Sequence, residues 1–287
     1  MSAIAATPKP LLLVDGFNVL WAGTFGFPAP IFSRDKTREL TGLFAFFALL
    51  RATIRDDLDV DPPEVLVVFD GEHGTTERVA ADGEYKANRE ATPEALKPLR
   101  FLAPVKQGLD LHCIRWIEID DAEADDVIAT FTVQAAPTRP VRIMSRDADY
   151  YQLLTDQVKI INRSRKATRR LIAPDEVVER YGVTPEQWPD FRALTGDSAD
   201  NIPGVKGVGP KAAASLLRDG MRLDTLLESD RLTGAKGRAI VQAWDDVLRW
   251  RDLITMQRDL ALPLSPSGEV SPQLPKPADV VEKLGLW

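Results

Sequence analysis

Short apolar runs that end in an acid constrain the fold of this chain more than any other feature of its sequence. Residues 10–15 read PLLLVD and residues 64–70 read EVLVVFD. Each run has the length of a buried strand and is too short for a helix. Residues 112–119 and 140–145 are further strand candidates, and helical segments such as 37–55 lie between the runs. Strands that alternate with helices predict an α/β fold, with a mainly parallel central sheet and helices on both faces.

The second half of the chain has a different pattern, which indicates separate regions. Residues 157–162 and 169–172 are expected to pair as a hairpin, and the pattern after Pro174 is helical without a further strand. Proline recurs after Leu262, which predicts an extended tail. The predicted regions are an α/β core at 1–173 with a helical arch at about 76–108, a helical region at 174–262 and a Pro-rich tail at 263–287.

Composition and charge limit the class of protein. The 287 residues carry a net charge of −7, and the single cysteine, Cys113, excludes an internal disulfide and a cysteine-based zinc site. The N-terminus lacks a signal-peptide pattern and no apolar run could span a bilayer, so we expect a cytoplasmic protein without membrane contact. A net acidic charge argues against nucleic-acid binding, but lysine and arginine cluster at 78–100, 159–170 and 206–211. A local basic patch can bind phosphate on an acidic protein.

Nine acids form the most informative set in the sequence, because several follow directly after predicted strands. The carboxyl ends of parallel strands share one edge, so these acids are expected to converge there. Helix capping is the alternative explanation for any one of them. Crowded carboxylates repel unless cations pair with them, and oxygen-only ligand sets suit Mg²⁺ or Mn²⁺. Two such ions about 4 Å apart are a known arrangement for phosphodiester hydrolysis. The nine candidate ligands are Asp15, Asp70, Glu123, Asp125, Asp126, Asp147, Asp149, Asp197 and Asp200.

A glycine-rich loop adjoins the last two acids, in the stretch GDSADNIPGVKGVGPKAA of residues 196–213. Its glycines permit a tight turn with exposed backbone N–H groups, and Pro210 suits the first position of a helix. A helix N-terminus favours phosphate, and two lysines add positive charge. We therefore expect the loop to hold the backbone of duplex DNA without reading its bases; an ordinary helix–turn–helix is the alternative. The expected DNA contacts are Gly204, Lys206, Gly207, Gly209 and Lys211.

The basic segment 76–100 contains few large apolar residues and lacks the apolar stripe of a core helix. It is therefore predicted to stand over the acids as a lid or arch, with a solvated surface helix as the alternative. Lys86 and Arg89 are three residues apart and share a helical face, from which they can offset charge that develops in a transition state. Tyr85 is expected to stack on a displaced base.

Six motifs in this order resemble the 5′ nuclease superfamily, and most nearly the 5′-3′ exonuclease domain of bacterial DNA polymerase I and stand-alone bacterial flap endonucleases. They are LVDGFNVLW, VVFDG, ERVAADGEYKANR, EADDVIA, SRDADYYQLL and TGDSADNIPGVKGVGPKAA, within residues 10–260. The resemblance implies a PIN-like core with a helix–three-turn–helix. It also implies two-metal hydrolysis at 5′ flaps and 5′ ends of duplex DNA in replication and repair, including RNA primers in RNA–DNA hybrids.

The resemblance also assigns individual residues. The carboxylates of the family match all nine acids, and its Y-K-A-x-R motif helps to form a helical gateway for the 5′ strand. The expected catalytic residues of the arch are Arg78, Tyr85, Lys86 and Arg89. A K⁺ site is implied at the backbone carbonyls of Leu194, Thr195, Pro203, Val205 and Val208. Ala148 stands where the family often has a basic residue, which affects only a secondary phosphate or acid contact.

Two other functions are alternatives to a 5′ nuclease. A PIN-like ribonuclease would share the acids at the strand ends but would lack the glycine loop and the basic arch. A non-catalytic, structure-specific DNA-binding protein would have an incomplete set of acids.

No polymerase domain follows the motifs, which predicts a free-standing enzyme, expected to be a monomer. The C-terminal KLGLW resembles a peptide that binds the bacterial sliding clamp, and packing of Trp287 on the core is the alternative.

Overall fold

The computed structural model describes residues 9–60, 62–89 and 91–287, and one six-stranded sheet organises them. The strands are β1 Leu11–Asp15, β2 Glu64–Phe69, β3 Arg115–Glu118, β4 Val141–Met144, β5 Val158–Ile161 and β6 Leu171–Ile172. Their order across the sheet is β3-β2-β1-β4-β5-β6, and only the β5–β6 pair is antiparallel. The predicted α/β fold, its parallel sheet and its terminal hairpin are confirmed.

Helices cover the sheet and build the second half of the chain. They are α1 Gly16–Gly26, α2 Thr41–Asp56, α3 Thr76–Ala81, α4 Leu102–Leu111, α5 Ala124–Ala135, α6 Pro174–Tyr181, α7 Trp188–Thr195, α8 Pro210–Leu217, α9 Leu223–Leu226, α10 Gly234–Gln242, α11 Trp244–Ile254 and α12 Pro277–Lys283. Among the helices in the described part of the chain, none has the length and apolar character needed to cross a membrane.

The two faces of the sheet carry separate cores because successive side chains of a strand point to opposite faces. Leu11 and Leu13 of β1 pack in the core that contains Phe131 of α5. Leu12 and Val14 pack in the other core, which contains Phe46 of α2. Burial on both faces explains why β1 and β2 are continuous apolar runs, each followed by an acid at the edge of the sheet.

Two elements differ from the pattern in the sequence. The sequence GFNVLWAGTFG does not predict helix α1, because its apolar residues do not form a single face and glycine stands at both ends. Asp15 begins this helix by accepting a hydrogen bond from the N–H of Asn18 at 3.0 Å. The predicted strand at 112–119 is shorter, because Cys113 has a left-handed φ of 54° and forms a turn before β3.

The predicted helical arch at 76–108 is only partly helical. Helix α3 ends at Ala81, the described residues 82–96 form turns, a 3₁₀-helix spans Lys97–Phe101, and α4 follows directly. Gly83, Pro93 and Pro98 interrupt a continuous helix because glycine disfavours the helical state and proline removes a backbone donor. The segment therefore reaches the acids through turns.

Residues 263–276 run back over the sheet without helix or strand, as the proline content predicts, whereas α12 shows that the tail is not extended throughout. We call residues 263–276 the strap. Its Ser267 and Gly268 donate backbone hydrogen bonds of 2.6 and 2.9 Å to the buried carboxylate of Glu64, which also pairs with Arg139 at 2.8 Å. After α12, Trp287 packs against the core that contains α2. The strap thus fixes the end of the chain to the first residue of β2.

Candidate active site

Three acids lie where parallel strands end. Asp15 is the last residue of β1, Asp70 follows β2, and Asp147 follows β4 after two residues. The N-terminus of α5 brings Asp125 to the same edge, and the nearby negative charge of Asp125 raises the pKa of all three carboxyl groups. The predicted convergence of these acids at the carboxyl edge of the sheet is therefore seen in the structure.

Burial is the largest cause of the raised pKa values in this cluster, and repulsion between carboxylates is the second. Burial and Asp125 raise the pKa of Asp70 to about 6 and that of Asp147 to about 7. The pKa of Asp15 is raised well above its ordinary value by burial, then by Asp125 and Asp70. The pKa of Asp149 is raised well above its ordinary value as well. A cation placed among these groups would favour their charged forms.

The acids form two adjoining groups. Asp15 and Asp70 interact mainly with Asp125, whereas burial and then Asp147, Asp197 and Asp200 raise the pKa of Asp149. The pKa of Asp147 is raised by acids of both groups, so this residue lies between them. The division of these acids between two cations stays a prediction.

Two carboxylate oxygens of the cluster have no hydrogen-bond partner. Oε1 of Glu123 and Oδ1 of Asp149 are buried and accept no hydrogen bond. A buried oxygen without a partner is costly, and a hard divalent cation satisfies it. Across 9–60, 62–89 and 91–287, no three His, Cys, Asp or Glu side chains converge closely enough to hold an ion as they stand. The chemistry of the donors fits divalent cations, but their side chains must move to enclose one.

Asp126 differs from the other predicted ligands. Its Oδ1 accepts hydrogen bonds of 2.8 Å from Nη2 of Arg78 and 2.8 Å from the N–H of Gln257. Arg78 also donates to the carbonyl of Leu253 at the end of α11. Asp126 therefore joins the sheet to the helical region in this structure, and its assignment as a metal ligand stays a prediction.

The arch residues lie directly on the acids, and they were not expected to pair with them. Nζ of Lys86 lies 2.5 Å from Oε2 of Glu123, and the Lys86 side chain is 9% exposed. Nη1 of Arg78 lies 3.3 Å from the same oxygen, and Nη2 of Arg89 lies 3.1 Å from Oδ1 of Asp200. These side chains place positive charge directly on Glu123 and Asp200, and the catalytic role expected of them stays a prediction.

Tyr85 does not occupy the position expected of a base-stacking residue. Its side chain is buried, and its hydroxyl lies 3.4 Å from Oε2 of Glu123 and 3.3 Å from Oδ2 of Asp200. Burial is the largest cause of its raised pKa, followed by the charges of these acids. In this conformation Tyr85 positions carboxylates and has no face free for a base.

The glycine loop begins at the end of α7 and leads into α8, as predicted. Gly204 and Gly207 have left-handed φ values of 67° and 84°, and a Cβ on Gly204 would lie 2.3 Å from the backbone N of Gly196. Glycine is therefore required at 204 by both conformation and space. Lys206 and Lys211 are exposed on either side of Gly209 and the start of α8. The loop can present its backbone and both lysines to a ligand.

The carbonyls predicted for K⁺ lie in this loop and at its entrance. The carbonyl of Leu194 accepts a hydrogen bond from the N–H of Val205, and that of Val205 accepts one from the N–H of Val208. Pro203 is exposed, and the hydroxyl of Thr195 donates to the carbonyl of Phe191. A carbonyl oxygen has two lone pairs, so the existing hydrogen bonds leave an acceptor site on each.

Two residues of the site were not found from the sequence. The hydroxyl of Tyr150 donates to Oδ1 of Asp125 at 2.5 Å, and Arg192 of α7 forms an ion pair with Asp197. Tyr150 directly follows Asp149, the second acid of the D-x-D motif, and this position in the sequence could have identified it. Arg192 precedes the glycine loop by one turn of α7 and gave no comparable signal.

The raised pKa values predict how stability depends on pH without divalent cations. Folded Asp70 and Asp147 hold protons up to pH about 6 and about 7, whereas unfolded carboxyl groups lose them near pH 4. The folded chain binds more protons between these limits, so the free energy of unfolding should fall as pH rises from about 4 to about 7. Asp147→Asn should be more stable than wild type at pH 8 in EDTA.

Urea unfolding at pH 5 and pH 8 measures this effect. Asp121→Asn, which changes an exposed acid outside the cluster, is the matched control and should leave the difference between the two pH values unchanged. Equal stability of wild type and Asp147→Asn at pH 8 would contradict the predicted repulsion among the acids.

Buried and half-buried carboxylates at the carboxyl edge of a parallel sheet, beside a loop suited to phosphate, fit a metal-dependent enzyme that acts on phosphodiesters. Residues 10–182 match the family model described as "5'-3' exonuclease, N-terminal resolvase-like domain". Residues 183–275 match the model described as "5'-3' exonuclease, C-terminal SAM fold". The chain therefore belongs to the 5′-3′ exonuclease family.

Individual relatives agree with this assignment. The chain is 37% identical over 255 residues to the thermostable DNA polymerase I of Thermus aquaticus and 35% identical over 264 residues to DNA polymerase I of Bacillus subtilis. These matches cover 88% and 91% of this chain but only 29% of each relative. The fold is also similar to that of the bacteriophage T5 flap endonuclease, solved as a pseudo-enzyme-product complex with DNA and metal ions. That match has a TM-score of 0.66 at 23% identity and covers 87% of this chain and 90% of the other.

Proposed function

We propose that this protein is a structure-specific DNA nuclease that hydrolyses phosphodiesters at 5′ flaps and 5′ ends of duplex DNA with two divalent cations. The observation that carries the proposal is the pair of adjoining, buried carboxylate groups at the carboxyl edge of the sheet, with partnerless oxygens on Glu123 and Asp149. The arch provides cations over the same groups, and the glycine loop continues from Asp197 and Asp200. Family membership supports the same activity.

The carboxylates would divide between the two ions according to their grouping. Asp15, Asp70 and Asp125 would hold one ion together with Glu123; Asp149, Asp197 and Asp200 would hold the other, and Asp147 lies between the groups. Bound divalent cations, Mg²⁺ or Mn²⁺, neutralise the phosphate and lower the pKa of the attacking water. Lys86 and Arg89 would pair with the phosphate oxygens when the substrate enters and offset the charge that develops during hydrolysis. Tyr150 would keep the Asp125 carboxylate oriented.

A polar cleft of about 460 Å³ lies beside the start of the glycine loop and reaches one of the acids, Asp197. Asn88 of the arch, Arg192 and Asp197 line it together with Pro203 of the loop. The one segment from 196 to 213 thus joins the duplex contact to the site of hydrolysis, which explains why acids and phosphate-binding lysines lie so close in the sequence.

A labelled 5′-flap oligonucleotide tests the proposal in the presence of Mg²⁺ and of EDTA. We expect cleavage near the base of the flap with Mg²⁺ and none with EDTA. Cleavage of single-stranded RNA in preference to the flap would favour a ribonuclease, and metal-independent binding without cleavage would favour a non-catalytic DNA-binding protein. A flap with an RNA 5′ segment examines primer removal in the same assay.

Lys211→Ala is expected to weaken flap binding to a similar extent for all DNA sequences, because Lys211 would contact phosphate and not bases. The slope of log Kd against log salt should decrease by about 0.9 for one lost phosphate contact. Fluorescence anisotropy in Ca²⁺ measures both effects, with Lys283→Ala on α12 as an exposed control. A loss of affinity for some sequences only would contradict backbone recognition.

A K⁺ ion at the carbonyls of Leu194, Thr195, Pro203, Val205 and Val208 would stabilise the glycine loop for binding. Replacement of K⁺ by a large organic cation in the same titrations should then weaken binding, and unchanged affinity would remove this part of the proposal.

The enzyme would act as a monomer on nucleoid DNA in the bacterial cytoplasm. The packing of Trp287 on the core leaves clamp binding through KLGLW as the weaker alternative.

A further inference from the structure

Two asparagines join the arch to the loop that carries the last two acids. Nδ2 of Asn88 donates to the carbonyl of Ser198 at 2.7 Å, and Nδ2 of Asn201 donates to the carbonyl of Glu84 at 2.7 Å. The two bonds run in opposite directions, since each segment provides one amide and one carbonyl. We call this pair of hydrogen bonds the amide clasp.

The backbone between the two bonds is held in unusual conformations. Lys86 and Asn201 have left-handed φ values of 55° and 60°, which non-glycine residues seldom adopt. The N–H of Lys86 donates to the carbonyl of Asp200 at 3.0 Å, midway along the same contact. A left-handed lysine costs free energy, and the surrounding hydrogen bonds keep it in place. Its side chain is thereby directed to Glu123, where it forms the ion pair described above.

The loop on the other side of the clasp is itself closed and connected to the glycine loop. Asp197 and Ile202 exchange two backbone hydrogen bonds of 2.7 Å, so residues 197–202 form one compact turn. Gly204 follows at once and packs against the backbone of Gly196. A shift of the glycine loop would therefore displace residues 197–202 and, through the clasp, the residues of the arch that lie on the acids.

We propose that Asn88 and Asn201 are positioning residues that couple duplex binding at the glycine loop to the placement of Lys86 and Arg89 over the scissile phosphate. This inference rests on the proposed function and deepens it. Each amide donates to a backbone carbonyl of the opposite segment and not to a carboxylate. The role predicts a loss in the cleavage rate without a matching loss in duplex affinity.

Neutral variants separate the clasp from changes in charge or backbone. Asn88→Ala removes one amide, and Asn201→Gly removes the other while permitting the left-handed φ. Ser198→Ala is the matched control, because it shortens a side chain in the same loop and keeps the carbonyl that accepts from Asn88. We expect each clasp variant to lower the single-turnover rate about five- to tenfold, the effect of one net hydrogen bond, with a flap Kd in Ca²⁺ within about twofold of wild type. Ser198→Ala should match wild type in both measurements.

Hydrogen exchange provides a readout that does not depend on cleavage. Without DNA, exchange at 84–89 should be faster in Asn88→Ala and Asn201→Gly than in wild type. A duplex without a flap should slow exchange at 84–89 in wild type but not in Asn201→Gly, although it protects the glycine loop in both. Unchanged exchange at 84–89 in both variants, or protection of 84–89 by duplex that persists in Asn201→Gly, overturns the proposal. If wild type cuts no flap, the proposed function fails, and the comparison without DNA still decides whether the clasp holds the arch.

Discussion

Asp125→Asn is expected to abolish flap cleavage, with a single-turnover rate in Mg²⁺ lowered about 10³-fold or more, roughly 4 kcal/mol of transition-state stabilisation. The charge of Asp125 is the second-largest cause of the raised pKa values of Asp15, Asp70 and Asp147, so Asp125 lies at the centre of the acids. An amide at this position removes one negative charge from the ligand set but can still accept the hydrogen bond from Tyr150. The fold should therefore persist while cation binding is lost.

Binding and metal titrations accompany the rate measurement. Flap affinity of Asp125→Asn without divalent cations should equal or exceed that of wild type, because a charge that repels phosphate is gone. Calorimetry should show weaker Mn²⁺ binding than in wild type. Asp121→Asn, four residues earlier and exposed, is the matched control and should cleave normally. Cleavage at the wild-type rate by Asp125→Asn would show that the two-cation mechanism is wrong.

Lys86→Ala should lower the single-turnover rate about 10²-fold, a loss of roughly 2.7 kcal/mol, while the flap Kd in Ca²⁺ changes only a few-fold. Its ammonium group lies on Glu123 in a buried position, and the charges of Asp200 and Glu123 outweigh burial to raise its pKa. It therefore stays protonated at neutral pH and can stabilise negative charge at the chemical step. A cation at this depth has little contact with the duplex outside the site.

Lys97→Ala is the control for this change, because Lys97 belongs to the same basic segment but pairs with Glu39 away from the acids. Thermal unfolding of both variants checks that the loss of a buried ion pair has not unfolded the arch. A large loss of affinity with an unchanged cleavage rate would make the segment a DNA clamp and exclude its catalytic role.

The sequence was most informative where a single strand or turn determines the structure. Buried strands such as β1 and β2 could be predicted because an apolar run of that length is too short for a helix. The acid at its end marks the point where the strand reaches the edge of the sheet. The left-handed Gly204 and Gly207 could likewise be expected from glycine spacing. The meeting of the acids followed from the general geometry of parallel sheets.

Contacts between distant segments could not be predicted in this way. The burial of Tyr85 and the Lys86–Glu123 pair depend on turns at 82–89 whose partners lie about forty or more than a hundred residues away along the chain. The spacing of apolar residues along the sequence does not indicate contacts of this kind. Asp126 illustrates the same limit, because its neighbour Asp125 faces the acids while Asp126 itself faces Arg78 and Gln257. Both residues belong to one motif, and only the helix orientation separates them.

The attachment of the strap to Glu64 has a consequence for how the molecule comes apart. Ser267 and Gly268 satisfy a carboxylate that is buried at the start of β2, and Arg139 would keep an uncompensated buried charge if that carboxylate were removed. Separation of the strap from the sheet would break three hydrogen bonds to this carboxylate, each worth about 1.5–3 kcal/mol because the acceptor is charged. The two regions recognised by separate family models are thus expected to melt in one cooperative transition, as a single thermodynamic unit.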